Sequence, residues 1–497
     1  MEQSKKKVSV IGSGIGGLAI AVRLAVKGHE VQVFESNCYP GGKADEFSVS
    51  GFRFDKGPSL LTMPEKIDEL FYLAGKNPKD YFSYSRINES CRYFYDDGVI
   101  IRGFTDAKLF SEEIFKISNI PKKDTIEYLR KNAFIFKTTN HLFLEKSLHK
   151  LKTYFSVKVF LSALKIPWLN LFSSMDRINS KKFFDMKIVQ IFNRFATYNG
   201  SDPYLAPAVL NSISNLEFNR GAFFADKGMS TIPKSLYKLA LELGVKFNFN
   251  SFVDQIKVSN GKIEGLAIKD AFIAADIVVC NTDIYFVYNK LLAKQFRLNY
   301  KKEQPRSSSA IIFYWGINKV FKQLQIHNIL FSKNYKEEFE CIRGGNEIYS
   351  DPTVYINITS KRIKSDAPKQ SENWFVMINV PHNSNQDWDK LILKSRKEII
   401  SKINRVLNCN IEDNILFERV VDPRNIETDT HSFKGALYGT SSNTRMSAFF
   451  RHPNFSKNIK GLYFCGGSVH PGGGGIPLVL SSAKIVDELI YSDYEKK

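Results

Sequence analysis

Gly12, Gly14 and Gly17, with Gly16 between the last two, spell GxGxxG, a pattern whose backbone can close on a diphosphate. The spaced glycines supply a tight turn, a path for phosphate oxygens to approach the backbone, and room for a helix against a strand. Glu35 lies 18 residues after Gly17, where a carboxylate accepts hydrogen bonds from a ribose hydroxyl pair. The same carboxylate would repel a 2′-phosphate, which argues against NADP. The elements that must hold these residues can be read around them. Residues 8–11 (VSVI) are a short apolar strand, an amphipathic helix runs to about Lys27, Gly28 stops it, and 31–34 (VQVF) form the second strand. Phosphates belong at the helix N-terminus, where unpaired N–H groups and the helix dipole favour negative charge. Just beyond, Gly42 in 39–43 (YPGGK) lets the chain double back over an adenosine, and Lys43 is within reach of a phosphate. That extension points to FAD rather than NAD.

A second element of this kind lies near the other end. Residues 461–465 (GLYFC) read as a strand, 466–475 as a glycine-rich turn, and Ile476 opens a helix. Gly467, Ser468, Gly475 and Ile476 are therefore candidate flavin contacts, made through backbone N–H groups, the Ser468 hydroxyl or the helix N-terminus. No charge falls between Lys460 and Lys484, but seven glycines in 461–483 exclude a membrane-spanning helix.

Taken together, GSGIGGLAIAVRLAVKGHEVQVFESNCYPGGK from residue 12, GFRFDKGPSLLTMP at 51–64 and GLYFCGGSVHPGGGGIPLVLSSAK at 461–484 resemble the carotenoid (phytoene) desaturase family of bacterial flavoenzymes. FNRFATYNGSDPYLAPA at 192–208, GAFFADKGMSTIPKSL at 221–236 and CNTD at 280–283 extend the resemblance over nearly the whole chain. The DKGPSLLTMP and ATYNGSDPY segments are most similar to hydroxycarotenoid 3,4-desaturases. The resemblance implies an FAD enzyme with a carotenoid substrate, introducing a C=C bond by hydride transfer to flavin, at the 3,4 position of a 1-hydroxycarotenoid. Phytoene or neurosporene desaturation remains an alternative, as does isomerase or saturase activity on the same scaffold. Outside enzymes, a membrane-surface flavin-binding protein stays open. One departure stands out: related flavoproteins carry an acid after the C-terminal strand, where this chain has Gly466-Gly467-Ser468.

At 497 residues the chain can bury a large core, and two domains are the sensible expectation. Its six cysteines include no CxxC and no metal-ligand spacing, so reduced thiols in a cytoplasmic setting and no metal are expected. A formal charge of +19 calls for a partner. No nucleic-acid module is recognisable, so an anionic membrane surface is the better candidate. Between Lys146 and Lys182, eight Lys/Arg face one acid, Asp176, and alternate with apolar and aromatic residues such as Phe155, Phe160, Trp168 and Phe172. That mixture describes an interfacial helix lying on the inner face of the cytoplasmic membrane, a peripheral and monotopic arrangement.

The fold class expected is α/β: a Rossmann-like FAD-binding domain with a second, sheet-plus-helices substrate domain and an interfacial helical region. Residues 1–75, 220–300 and 421–497 make the discontinuous FAD domain, and 76–219 with 301–420 the substrate and membrane-associating domain. Within them, Asn260-Gly261 reads as a two-residue hairpin turn, 309–316 and 374–380 as buried strands of a second sheet, and about 386–406 as an amphipathic helix. A single GxGxxG leaves no site for NAD(P)H, so the flavin is reduced by substrate and reoxidised by oxygen or a quinone. In a polyene the developing cation is delocalised, so a dry apolar channel does most of the work and acid–base groups are secondary. His470, in the glycine-rich turn, is a candidate proton relay. Asp202, in NGSDPY, is a candidate proton acceptor or hydroxyl ligand, although its place before Pro203 also suits a purely structural turn.

Overall fold

The computed structural model describes residues 5–150, 153–154, 169–296 and 304–495. Two large sheets organise it. The first is five-stranded and all parallel, in the order Leu462–Phe464, Ile277–Cys280, Lys7–Ile11, Glu30–Phe34, Lys246–Asn248. Lys7–Ile11 is central, with Val10 opposite Val279 on one side and Val33 on the other. Both faces of this sheet are covered, so its inner strands are apolar without alternation.

Helix Ile15–Val26 follows the first strand as expected, but it is not amphipathic: every residue from Ile15 to Leu24 is buried. It packs against the helices Ile476–Ile490, Thr231–Glu242 and Glu65–Leu73, which wrap the side that a surface helix would give to water. Even Arg23 is enclosed, its guanidinium held by Glu69 at 2.7 Å. Helix Ile476–Ile490 joins this layer from the far end of the sequence, so the two glycine-rich segments stand over one sheet.

The second sheet has seven strands, in the order Ile415–Val421, Ser309–Ile317, Glu372–Val380, Val354–Ile358, His327–Leu330, Glu89–Phe94, Ile100–Phe104. It is antiparallel except where His327–Leu330 meets Glu89–Phe94. Ser309–Ile317 and Glu372–Val380 pair along their length with Trp315 opposite Trp374. Alternation along Ser309–Ile317 sends Ile311, Phe313 and Trp315 to a core shared with helix Trp388–Leu407. Ile312 and Tyr314 point the other way, toward Phe52, Phe54 and Phe375. Residues 309–316, 374–380 and 386–406 thus fold as their patterns predict. The hairpin Gln255–Ser259/Lys262–Ile268 turns at Asn260-Gly261, both with positive φ (47° and 69°), as a tight hairpin of this kind requires.

Helices Ala107–Ser118, Lys122–Glu145, Met175–Lys182 and Met186–Asn193 pack around Phe110, Tyr128, Phe183 and Phe192. Most of the proposed interfacial helix, residues 151–152 and 155–168, lies outside the described residues. Several flanking cations are engaged within the protein: Lys146 with Glu488, Lys150 with Asp493 and Lys182 with Asp124. Among the described residues no helix is long and apolar enough to cross a membrane, all six cysteines are free, and no group of potential metal ligands occurs.

Candidate active site

The glycine turn at the end of the first strand is built for close approach. A Cβ on Gly17 would lie 2.0 Å from the Gly12 carbonyl oxygen, so only glycine lets helix and strand meet there. The turn also packs on Asn281, whose backbone N–H donates to Ile11 O at 2.8 Å. Its side-chain amide fills the space that side chains at 14 and 16 would need: added Cβ atoms would come within 2.8 Å of Nδ2 and 2.4 Å of Oδ1. Gly41 N–H donates to Ser13 O at 3.0 Å and brings the 39–43 segment back over the turn. Glu35, at the tip of the second strand, is 6 % exposed. Its Oε2 accepts from the Ser13 N–H (2.7 Å) and hydroxyl (2.8 Å). Its Oε1 accepts from the Asn37 N–H (2.9 Å) and amide (3.1 Å) and from the Ser36 hydroxyl (3.2 Å). Such a donor-ringed carboxylate suits ribose hydroxyls, which can take over from the rotatable Ser13 and Ser36 hydroxyls.

Lys43 projects into a cavity, reachable by water from inside yet surrounded by protein. Desolvation pulls its ammonium down to about 8, opposed by Asp283 nearby, and Nζ donates to Leu437 O at 3.0 Å.

The C-terminal turn is moulded onto the ATYNGSDPY segment. A Cβ on Gly474 would lie 1.7 Å from the Tyr198 carbonyl oxygen, and Gly474 N–H donates to Asn199 Oδ1 at 3.2 Å. Ser468 Oγ accepts the Ile284 N–H at 3.0 Å, tying the turn to the CNTD segment. Helix Ile476–Ile490 starts at Gly475, and its first residues face the same cavity.

That cavity, about 570 Å³, joins all these elements. Gly12, Gly14, Gly16, Glu35, Gly42 and Lys43 wall one part with Gly467, Ser468, Gly475 and Ile476. Gly17 is not a wall residue; its role is to seat the helix. The space continues past Ile312, Tyr314, Phe375 and Met377, the inward-facing set of the seven-stranded sheet, to Arg194, Glu217, His327 and Tyr355. Arg194 and Glu217 form a buried ion pair at 2.7 Å. The Tyr198 and Ser90 hydroxyls also donate to Glu217, and Arg194 donates to the Tyr93 hydroxyl. Its members come from five separate segments: Arg194 and Tyr198 belong to the 192–208 motif, while nothing in the local sequence marked Ser90, Tyr93, Glu217, His327 or Tyr355.

Neither acid–base candidate reaches the cavity wall. His470 is buried beside it, Nε2 donating to Lys146 O at 2.9 Å, and desolvation lowers its pKa to about 4. It is a neutral ring holding the chain to the helical region. Asp202 is bound to Arg343 at 2.5 Å and accepts the Tyr204 N–H at 2.8 Å. Burial raises its pKa, with Arg343 opposing. It is a turn residue, the structural role its position before Pro203 allows.

Residues 15–486 match the family model for flavin-containing amine oxidoreductases. The chain is 48 % identical to a 1-hydroxycarotenoid 3,4-desaturase of Flavobacterium sp. (strain P99-3), over 98 % of this chain and 99 % of that one. It is 30 % identical to a 4,4'-diapolycopene oxygenase of Methylomonas sp., over 99 % of both chains. Among solved structures, an oxidoreductase from Methanosarcina mazei superposes with a TM-score of 0.63 at 17 % identity, over 97 % of this chain and 100 % of that one. The glycine turn, the donor-ringed carboxylate and the helix start at Gly475 all fit a flavin dinucleotide. The chain belongs to the flavin-containing amine oxidoreductase family, in the carotenoid desaturase group that its motifs resemble, and its cofactor is FAD.

Proposed function

We propose that this protein is a carotenoid desaturase that introduces the 3,4 double bond into a 1-hydroxycarotenoid. The observation that carries the reading is the single cavity running from the dinucleotide cradle to an apolar sheet face. Bound FAD supplies the hydride acceptor. Gly12, Gly14, Gly16, Glu35, Gly42 and Lys43 hold its adenosine and diphosphate half, and Gly467, Ser468, Gly475 and Ile476 its flavin half. Ile312, Tyr314, Phe375 and Met377 exclude water and align the polyene, so that one C–C bond is held for reaction. The 48 % identity to the Flavobacterium enzyme over nearly full length supports the substrate class.

The test is anaerobic incubation of FAD-loaded protein with a 1-hydroxylated carotenoid, followed by mass and absorption spectra. Loss of two hydrogens with a red-shift supports the proposal. A gain of oxygen under air, as the name of the Methylomonas relative suggests for that protein, or an unchanged mass with a new isomer, overturns it.

The same reading divides the molecule into an FAD unit (1–75, 220–300, 421–497) and a substrate unit (76–219, 301–420). In support, all five parallel strands come from the first set of segments. It also places the protein peripherally on the anionic cytoplasmic face of the membrane, with oxygen or a quinone as final acceptor. Phe172 and Phe184 are 74 % and 73 % exposed, close in sequence to the exposed cations Arg177 and Lys181. Co-sedimentation with vesicles containing anionic lipid, but not with zwitterionic ones, is the expected result, and equal binding to both refutes the charge argument.

A further inference from the structure

Arg194 follows helix Met186–Asn193 and walls the cavity, with 9 % of its side chain accessible. A guanidinium carries five N–H groups and no acceptor, so every nitrogen it presents is a donor. Nε and Nη2 are engaged: both meet the Tyr93 hydroxyl, at 3.2 and 2.9 Å, and Nη2 also meets the two Glu217 oxygens at 2.8 and 2.7 Å. Nη1 has no partner among the described residues. The fold does not seal it off, as it seals the unpartnered nitrogens of Arg306. The open edge of the guanidinium therefore gives onto the cavity that Arg194 walls. Water can serve two N–H groups there. An apolar ligand that fills the space expels it, and a buried donor left without an acceptor is costly.

The surroundings decide which atom meets Nη1. The Arg194 charge is balanced by Glu217, which is fully enclosed and also accepts from the Tyr198 and Ser90 hydroxyls. The pair has no net charge with which to hold an anion. A neutral acceptor on an otherwise apolar ligand suits it, which means a hydroxyl or a carbonyl oxygen, since Ile312, Ile329, Phe375 and Met377 share the wall. Tyr198 ties this donor to the cofactor side. Its hydroxyl bonds Glu217, and its carbonyl oxygen would lie 1.7 Å from a Cβ on Gly474, just before helix Ile476–Ile490.

We propose that Arg194 Nη1–H donates to the terminal hydroxyl of the polyene and so selects hydroxylated substrates and sets their register. This rests on the desaturase reading above. The hydroxyl carbon is only two bonds from the nearer carbon of the 3,4 bond, so holding the oxygen also places the bond that reacts. A site built to bond a hydroxyl discriminates strongly against the analogue that lacks it, because its own polar group is left unpaired.

The experiment compares anaerobic flavin bleaching by a 1-hydroxycarotenoid and by the same polyene with hydrogen in place of the hydroxyl, alongside FAD affinity. Beside wild type it uses Arg194→Lys, which keeps a cation for Glu217 but lacks the second arm of the fork. It also uses Arg194→Met/Glu217→Gln, which leaves no buried charge unpaired. Wild type should prefer the hydroxylated polyene by about 10- to 100-fold in kcat/KM, the range that one unpaired buried donor commands. Both variants should lose that preference, chiefly through a raised KM for the hydroxylated polyene, with FAD affinity unchanged. Wild type bleached equally by both polyenes overturns the hydroxyl assignment and leaves the desaturase reading standing, whether or not either variant folds. Wild type bleached by neither overturns the desaturase reading itself. A variant that keeps the preference overturns the role of Nη1. Equal loss on both substrates, or a loss of FAD affinity, shows a structural or cofactor-facing role and overturns the selectivity proposal.

Discussion

Glu35→Gln isolates one oxygen of the cofactor cradle. The amide is nearly isosteric with the carboxylate but replaces one acceptor by a donor and removes the charge. If the amide oxygen stays toward Asn37, the new NH2 opposes the Ser13 N–H, now 2.7 Å from Oε2. That buried donor loses its acceptor, costing the fold about 1–3 kcal/mol, with or without cofactor. Separately, the ribose loses a charged acceptor, worth about 1.5–3 kcal/mol, which weakens FAD binding by about 10- to 150-fold. Fluorescence-quenching titration of FAD into the two apoproteins at pH 7 measures the second effect, and their thermal midpoints measure the first. If Glu35→Gln binds FAD within threefold of wild type and the apoproteins melt together, the ribose assignment of Glu35 is wrong.

Three further outcomes follow from the structure. Because desolvation holds Lys43 down to about 8, its ammonium is fully charged only below that pH. FAD affinity should be flat up to about pH 8 and fall above it, whereas Lys43→Met should bind weakly with no such slope. The unfolded chain keeps this lysine protonated up to its ordinary, higher pKa, so it binds more protons than the native apoprotein above pH 8. Apoprotein stability should rise over that window, and a fall would contradict the shift. Asp202→Asn keeps an acceptor for the Tyr204 N–H and leaves Arg343, 47 % exposed, free to meet water. Stability should drop by no more than about 1 kcal/mol by chemical denaturation, with turnover per bound flavin unchanged. A tenfold loss of turnover with flavin retained would return Asp202 to the chemistry.

The nucleotide cradle was legible in the sequence because its signals are local. Turn glycines, the Gly28 stop and the strand-ending Glu35 act within 24 residues of one another, so spacing alone carries their geometry. The hairpin at Asn260-Gly261 and the long helix Trp388–Leu407 were legible for the same reason. The all-round burial of Ile15–Val26 was not, because it depends on three helices arriving from residues 65, 231 and 476. The setting of His470 was not legible for a similar cause: sequence places it in the glycine-rich turn, while its Nε2 meets the Lys146 carbonyl 324 residues away.

Taken alone, residues 8–43 and 461–484 determined the cofactor class, since a diphosphate and a ribose make demands that a short run of backbone can meet. Only the tertiary structure decided what lines the rest of the cavity. Arg194 lies in the distinctive 192–208 segment, but Glu217, His327 and Tyr355 have no distinctive neighbours, and one seven-stranded sheet and one buried ion pair bring all four to a shared wall. Polar atoms gain specificity when burial removes their water, and burial is a property of the whole fold, not of any stretch of chain.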